Sequence, residues 1–272
     1  MLEDGFYNMD CFEGFKKIND KSVDMILCDL PYGTTQCRWD AVLPFEQLWK
    51  EYKRIIKDNG AILLFGMEPF SSCLRMSNIE MYKYDWIWHK TSPRGHLNAK
   101  IQPMRAYENI SVFYKMQPTY NPQMTHGHYR KIAKSRYTRE NNGQGCYGKE
   151  NRDTLYDSTD RYPIDVQTFS NGDQTNKIHP TQKPVELLEY MILTYTNVGE
   201  LVLDNCAGSC STGIAAHKAG RRFIGFEKDK QIYTRANKRL LQHKSQLTLF
   251  DVWGSEVISN ICTHGKTGTI ST

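Results

Sequence analysis

The chain has 272 residues, 39% of them hydrophobic and 24% charged, and its 35 basic against 30 acidic side chains leave a formal net charge of +5. That length suits one large domain or two small ones, burying roughly 75% of the unfolded surface. No apolar run nears the ~18 residues of a membrane span, and disordered and collagen-like compositions are excluded, so an ordinary soluble globular protein is expected.

Short apolar runs alternate with helical patterns, the signature of a parallel α/β sheet. Met25 to Cys28 reads as a buried strand. An amphipathic helix is predicted from about Phe45 to Lys57, with Leu48, Tyr52, Ile55 and Ile56 at helical spacing, followed by an Asn59-Gly60 turn and a strand from Ala61 to Phe65. Tyr84 to His89 and Ile110 to Tyr114 give two more strands. Further on come a helix from Val185 to about Thr194, a strand from Leu201 to Leu203, a helix from about Thr212 to Ala219, a strand from Phe223 to Phe226 and a helix from about Lys228 to His243. Between Met116 and Lys177 the aliphatic runs give way to Asn, Gln, Gly, Thr and Tyr, which predicts an inserted lobe with function on its surface. Within it Arg130, Lys131, Lys134, Arg136 and Arg139 occur without an acid, interleaved with Tyr129 and Tyr137, a mixture suited to phosphate contact and stacking or to a solvated face.

The eight cysteines are scattered, without a C-x-x-C pair, and read as reduced cytosolic thiols rather than a disulfide frame or zinc site. The acidic start, Met1-Leu2-Glu3-Asp4, lacks the basic and apolar regions of a signal peptide, so export is not expected.

Three constellations carry chemistry. Cys28-Asp29-Leu30-Pro31-Tyr32-Gly33 sets a carboxylate and an aromatic ring at the carboxyl end of a strand, where open α/β sheets bind ligands. A planar amine between them would donate to the acid while its ring stacks on the tyrosine. Asp204-Asn205-Cys206-Ala207-Gly208-Ser209-Cys210-Ser211-Thr212-Gly213 opens a helix. Its small residues admit close backbone approach, its acid can pair with an ammonium, and the next strand ends in Glu227, placed to reach ribose hydroxyls. His179-Pro180-Thr181-Gln182-Lys183-Pro184 leads into the helix at Val185, and its prolines are half explained as a helix start.

The order of these motifs resembles the β-class amino DNA methyltransferases, which modify the exocyclic nitrogen of adenine or cytosine. The likeness is nearest to phage and prophage members, with Pro31-Tyr32-Gly33-Thr34-Thr35 and Arg38-Trp39-Asp40 adding to it. It implies a Rossmann-like class I methyltransferase fold with a mostly parallel, seven-stranded, circularly permuted sheet. It further implies a catalytic tetrad of Asp29, Leu30, Pro31 and Tyr32. S-adenosylmethionine would be held by Asp10, Cys11, Asp29, His179, Thr181, Lys183, Pro184, Asp204, Cys206, Ala207, Gly208, Ser209, Ser211, Thr212 and Glu227, with no metal. Double-stranded DNA would meet Arg38, Trp39, Arg130, Lys131, Lys134, Arg136 and Arg139. The expected division is 1–115 and 178–245 for the two halves of the methyltransferase domain, 116–177 for target recognition and 246–272 for a tail.

Aspartate at the first tetrad position goes with adenine N6 in this family, with cytosine N4 as the alternative. Leu30 replaces a proline whose assigned role is a backbone carbonyl. Cys210 replaces a glycine usual in the cofactor loop, which keeps open a catalytically silent DNA-binding homologue. Dimers are common in the family. Gln246-Leu247-Thr248-Leu249-Phe250 resembles a sliding-clamp peptide, although the same apolar residues could pack the chain end. A cytoplasmic site in a bacterial or phage-infected cell is expected.

Overall fold

The structure is a computed structural model describing residues 2–33, 41–135, 154–171 and 182–245. Its larger unit joins Met1–Asn121 to Asp165–Thr272, and a smaller unit is Pro122–Ile164.

The larger unit runs β1 (Gly5–Asn8), α1 (Cys11–Phe15), β2 (Val23–Cys28), α2 (Phe45–Ile55), β3 (Ile56–Gly66), α3 (Phe70–Ser77), β4 (Tyr82–Arg94) and β5 (Arg105–Phe113). The small unit contributes β6 (Lys131–Ser135) and β7 (Thr154–Ser158). The chain then returns with β8 (Val166–Phe169), α4 (Val185–Tyr195), β9 (Leu201–Asp204), α5 (Ser211–Lys218) and β10 (Arg222–Glu227), and a last helix, α6, occupies residues 230–245.

Eight strands form one sheet in the order β1-β10-β9-β2-β3-β5-β4-β8. The pairs from β1 through β3 are parallel, β5 is antiparallel to both β3 and β4, and β8 lies parallel to β4. The central pair β9 and β2 comes from opposite ends of the chain, as a permuted order requires. The expected seven strands fall one short, because β8 adds an edge through Ile87↔Val166 to Lys90↔Phe169. Composition suggested an inserted lobe at 116–177, and within that range β8 pairs with the large sheet. The unit that clusters apart is Pro122–Ile164, while Asp165 onward is drawn into the large sheet by β8.

Period-two alternation sends successive strand side chains to opposite faces. Met25 and Leu27 of β2, with Leu63 and Phe65 of β3, join one core under α4, α5 and α6. Ile26 and Cys28, with Ile62 and Leu64, join another under α1, α2 and α3. Both faces being covered explains the unbroken apolar runs of these strands. In α2 the buried stripe is Leu48, Trp49, Tyr52 and Ile55, each such side chain contributing roughly 1.5–3 kcal/mol.

Asn59-Gly60 is not a turn: β3 begins at Ile56 and runs through it, with the register to β2 shifting between Val23 and Met25. Gly60 is needed there because a Cβ would stand 2.8 Å from the Asp24 carbonyl oxygen. The sequence reading did not include β1, α1 and α3, whose four, five and eight residues hold too little periodicity.

In the small unit β6 and β7 form an antiparallel ribbon, closed further out by a Thr125–Arg161 bridge. Arg130 grips Asp157 through two 2.6 Å hydrogen bonds.

Candidate active site

Strands β2 and β9 are parallel neighbours, with Met25↔Val202 and Ile26↔Leu203, so Asp29, just past β2, and Asp204, the last residue of β9, leave the sheet side by side at its carboxyl edge. A cavity of about 1350 Å³ opens there, lined among others by Asp10, Asp29, Tyr32, Glu108, Asp204 and Glu227. Pockets for one small molecule span roughly 300–1,000 Å³. This one has room for two ligands meeting between the acids.

At one end sits the Asp29 motif. Its Oδ1 accepts from the Tyr32 hydroxyl at 2.7 Å and its Oδ2 from Lys183 Nζ at 2.6 Å. Lys183 Nζ is 3.1 Å from Glu108 Oε2, and Lys90 Nζ donates to Glu108 Oε1 at 2.5 Å. Burial pushes the Asp29 carboxyl upward and Glu108 adds to this, while Lys183 opposes it. Burial alone would drive the Lys183 ammonium down, but Asp29 and Glu108 outweigh it and hold the lysine above its ordinary value. Burial likewise disfavours the Glu108 carboxylate, and Lys183 and Lys90 bring it below its usual range. The Tyr32 ring rests on Phe70, centroids 4.9 Å apart. Cys28 is fully buried and its thiol is pushed up to about 12 by that burial, so it is no thiolate nucleophile.

At the other end acids meet neutral donors. Asp204 Oδ1 accepts from the Cys206 N–H at 3.1 Å and Oδ2 from the Thr212 hydroxyl at 2.6 Å. Burial pushes its carboxyl up to about 6 against those bonds, leaving a buried acid that a ligand cation would complete. Glu227 accepts from the N–H groups of Gly208 and Asp229 at 3.0 and 2.7 Å, and burial raises it too. Gly208 has φ +50°, a left-handed turn that leaves the backbone bare where a ligand approaches. Cys210 has φ +57° as the N-cap of α5 and is fully buried. A Cβ-bearing residue thus stands where glycine is conformationally at ease, at a cost of about 1–2 kcal/mol.

Cys206, Ala207, Ser209, Ser211 and Thr212 line the same cavity, as do Leu30, Pro31 and Cys11. Asp10 caps α1 by accepting the Phe12 N–H at 2.9 Å and pairs with Lys228 at 3.1 Å. Pro184 is the N-cap of α4. Lys183, expected among the cofactor contacts, turns its ammonium to Asp29 and Glu108. Lys131 and Lys134 are exposed on β6, but they stand three positions apart along the strand, so they point to opposite faces of the ribbon. His179, Thr181, Arg38, Trp39, Arg136, Arg139 and Gln246–Phe250 lie outside the described residues.

Four participants have no functional signal in the sequence, although Tyr52 has a place in the apolar stripe of its helix. Lys90 and Glu108 sit 18 positions apart on β4 and β5 and meet through the hairpin register, in which Glu108 faces Trp88. Arg239 of α6 reaches back to the Ser209 carbonyl and Ser211 hydroxyl, each at 3.0 Å. Tyr52 of α2 donates to Asn205 Oδ1 at 2.5 Å. None of these pairs has a local spacing signature.

The sheet order, with strand-end acids gathered around one cavity, is that of the class I methyltransferases. Over residues 23–238 the chain matches the DNA methylase family. It is 29% identical to the Type II methyltransferase M1.MboII of Moraxella bovis across 259 residues, covering 87% of this chain and 96% of that protein. To M.HinfI of Haemophilus influenzae it is 28% identical across 267 residues, covering 86% and 67%. Among solved structures, the complex of M1.HpyAVI with SAM shares the fold with a TM-score of 0.59 at 24% identity, over 88% of this chain and 99% of that one. The cytosine-N4-specific PvuII DNA methyltransferase does so at 0.61 and 14%, over 90% and 93%. The chain belongs to the N6-adenine/N4-cytosine DNA methyltransferases, a family whose Type II members serve restriction-modification.

Proposed function

We propose that the protein transfers a methyl group from S-adenosylmethionine to N6 of an adenine flipped out of duplex DNA. The observation that carries this is the Asp29 carboxylate beside the Tyr32 ring, in one cavity with Asp204 and Glu227. The cofactor supplies an electrophilic methyl group on a sulfonium. Its requirements fit the residues present: Asp204 is a buried acid with neutral donors around it, suited to the amino-acid ammonium. Glu227 suits the ribose hydroxyls, and Asp10 with Cys11 the adenine edge.

A base inside a duplex cannot present its exocyclic amine, and extrusion costs a few kcal/mol that pocket contacts offset. Tyr32 stacks on the extruded base. Asp29 and the main-chain carbonyl of Leu30 accept the two amine hydrogens, which localises the nitrogen lone pair toward the methyl carbon. As the nitrogen gains the methyl group it sheds one proton, which Asp29 takes. Rate enhancement comes from orientation and electrostatics without a covalent enzyme intermediate. The basic residues of the β6 region serve as DNA contacts. Aspartate at position 29 supports adenine over cytosine.

The test is tritium transfer from S-adenosylmethionine to unmethylated DNA with Asp29→Ala as control, together with long-read sequencing of DNA from a methylation-free host expressing the protein. N6-methyladenine in one short sequence is expected. N4-methylcytosine would overturn the base assignment, full activity of Asp29→Ala the mechanism, and no transfer at all would leave a silent DNA-binding homologue.

A further inference from the structure

Asp29 does not stand alone against Lys183. Charges of alternating sign run Asp29, Lys183, Glu108, Lys90 at 2.6, 3.1 and 2.5 Å. The side chains of the last three are only 8%, 8% and 6% exposed. The four charges come from four places: the β2 exit, the turn into α4, β5 and β4. Two aromatic rings wall Lys183 in, with Phe65 at 5.1 Å and Tyr32 at 5.8 Å from its nitrogen. The groups facing Asp29 are Tyr32 from its own turn, Lys183, Glu108 with Lys90 behind it, and Asp204 at the end of β9.

We propose that Lys90 and Glu108 are positioning residues of the transfer reaction: acting through Lys183, they hold the Asp29 carboxylate in one orientation as an acceptor for the target amine. The inference rests on the role given to Asp29 above. Glu108 anchors the Lys183 ammonium from behind, so that it cannot swing off Asp29 when a base arrives. Lys90 in turn balances Glu108, which would otherwise compete with Asp29 for the same ammonium. With the pairs matched, the charge of Lys183 is left to Asp29 and opposes the rise that burial imposes on its carboxyl, at the point where the amine must donate.

The alternative is a staple that merely ties β4 and β5 to α4. A staple and a positioning relay differ in their pH behaviour. Lys90→Met leaves Glu108 unbalanced and moves the acid limb of the single-turnover rate to higher pH by about one unit, so the rate on that limb falls about tenfold. Glu108→Gln leaves Lys90 unbalanced and moves the limb to lower pH. Lys90→Arg restores the wild-type limb. Both limbs staying in place, with rates following thermal stability alone, overturns the proposal. Loss of S-adenosylmethionine affinity in calorimetric titration, without a limb shift, also overturns it and assigns the cluster to the cofactor site.

Each single variant leaves a buried charge unpaired and can fail to fold. The double variant Lys90→Met/Glu108→Gln removes both charges. It is expected to keep the wild-type limb and cofactor affinity while its single-turnover rate drops about tenfold, and an undiminished rate refutes the positioning role. Asp29→Ala in the same assay separates the two readings. If it is fully active, the role of Asp29 itself falls. If it is inactive and the opposed shifts are absent, only the relay falls.

Discussion

Asp29 and Asp204 leave adjacent parallel strands into one cavity, and burial raises both, yet their partners differ. Among the described residues Asp204 meets neutral donors, the Cys206 N–H, the Thr212 hydroxyl and the Cys28 thiol, and is pushed up to about 6 by burial. Asp29 is half-buried, and burial raises it as well, but an ammonium lies 2.6 Å from it and opposes that push. The first acid is left for an incoming cation to complete. The second already has a cation beside it, which favours the carboxylate that the proposed acceptor role requires. Burial sets the problem for both residues, and the partner decides which chemistry each can do.

The largest effect that can break this contrast is Asp29→Ala. It should lower single-turnover methyl transfer by about 10³-fold, with the loss in the rate and not in calorimetric cofactor affinity. A loss confined to affinity would make both acids cofactor ligands. Next, Asp204→Asn should weaken S-adenosylmethionine binding by about 10–100-fold, the ~1.5–3 kcal/mol of a hydrogen bond to a charged group. With Asp204 intact, affinity should rise with pH through about 6, because the acid binds a cation only when ionised, and fall up to tenfold per pH unit below that. Titrations near pH 6 in buffers of different ionisation heat should therefore report proton release on binding. A pH-independent affinity between 5 and 7.5 would mean that no cation meets Asp204.

A smaller effect concerns the ribbon of the small unit. Arg130 is engaged by Asp157, and Lys131 and Lys134 face opposite sides. Neutralising the two lysines one at a time should lower the salt slope of DNA binding by ~0.9 in one case and leave it unchanged in the other. Equal losses would set the ribbon edgewise in a groove, and no change in either would remove it from the DNA interface. Smallest of all, Cys210→Gly should leave cofactor affinity unchanged or slightly higher. It relieves a backbone held at φ +57° while giving up a buried sulfur, and clear weakening in a calorimetric titration would show that the thiol itself supports the loop.

The strand-end acids were legible in the sequence because each motif is local. Asp29 to Tyr32 and Asp204 to Thr212 are short stretches whose residue types and order carry their chemistry wherever the chain takes them. The Cys210 departure was legible for the same reason, and its positive φ gives that doubt a physical basis. Lys183 was half legible: its motif singled it out, but the local pattern could not say that its ammonium would turn to Asp29 and Glu108. Lys90 reads as an ordinary surface cation and Glu108 as an acid in an apolar strand, and only the β4–β5 register joins them.

By itself, then, the sequence determined the α/β class, the permuted order of the motifs and the acids at the strand ends that open into one cavity. These depend on periodicity and on neighbours a few residues apart. The tertiary structure alone decided that Asp165 onward returns to the large sheet as an eighth strand, that Lys131 and Lys134 part to opposite faces, and that three buried charges line up behind Asp29. Charge state and burial are properties of neighbours brought from distant parts of the chain, and no local pattern encodes which neighbours those are.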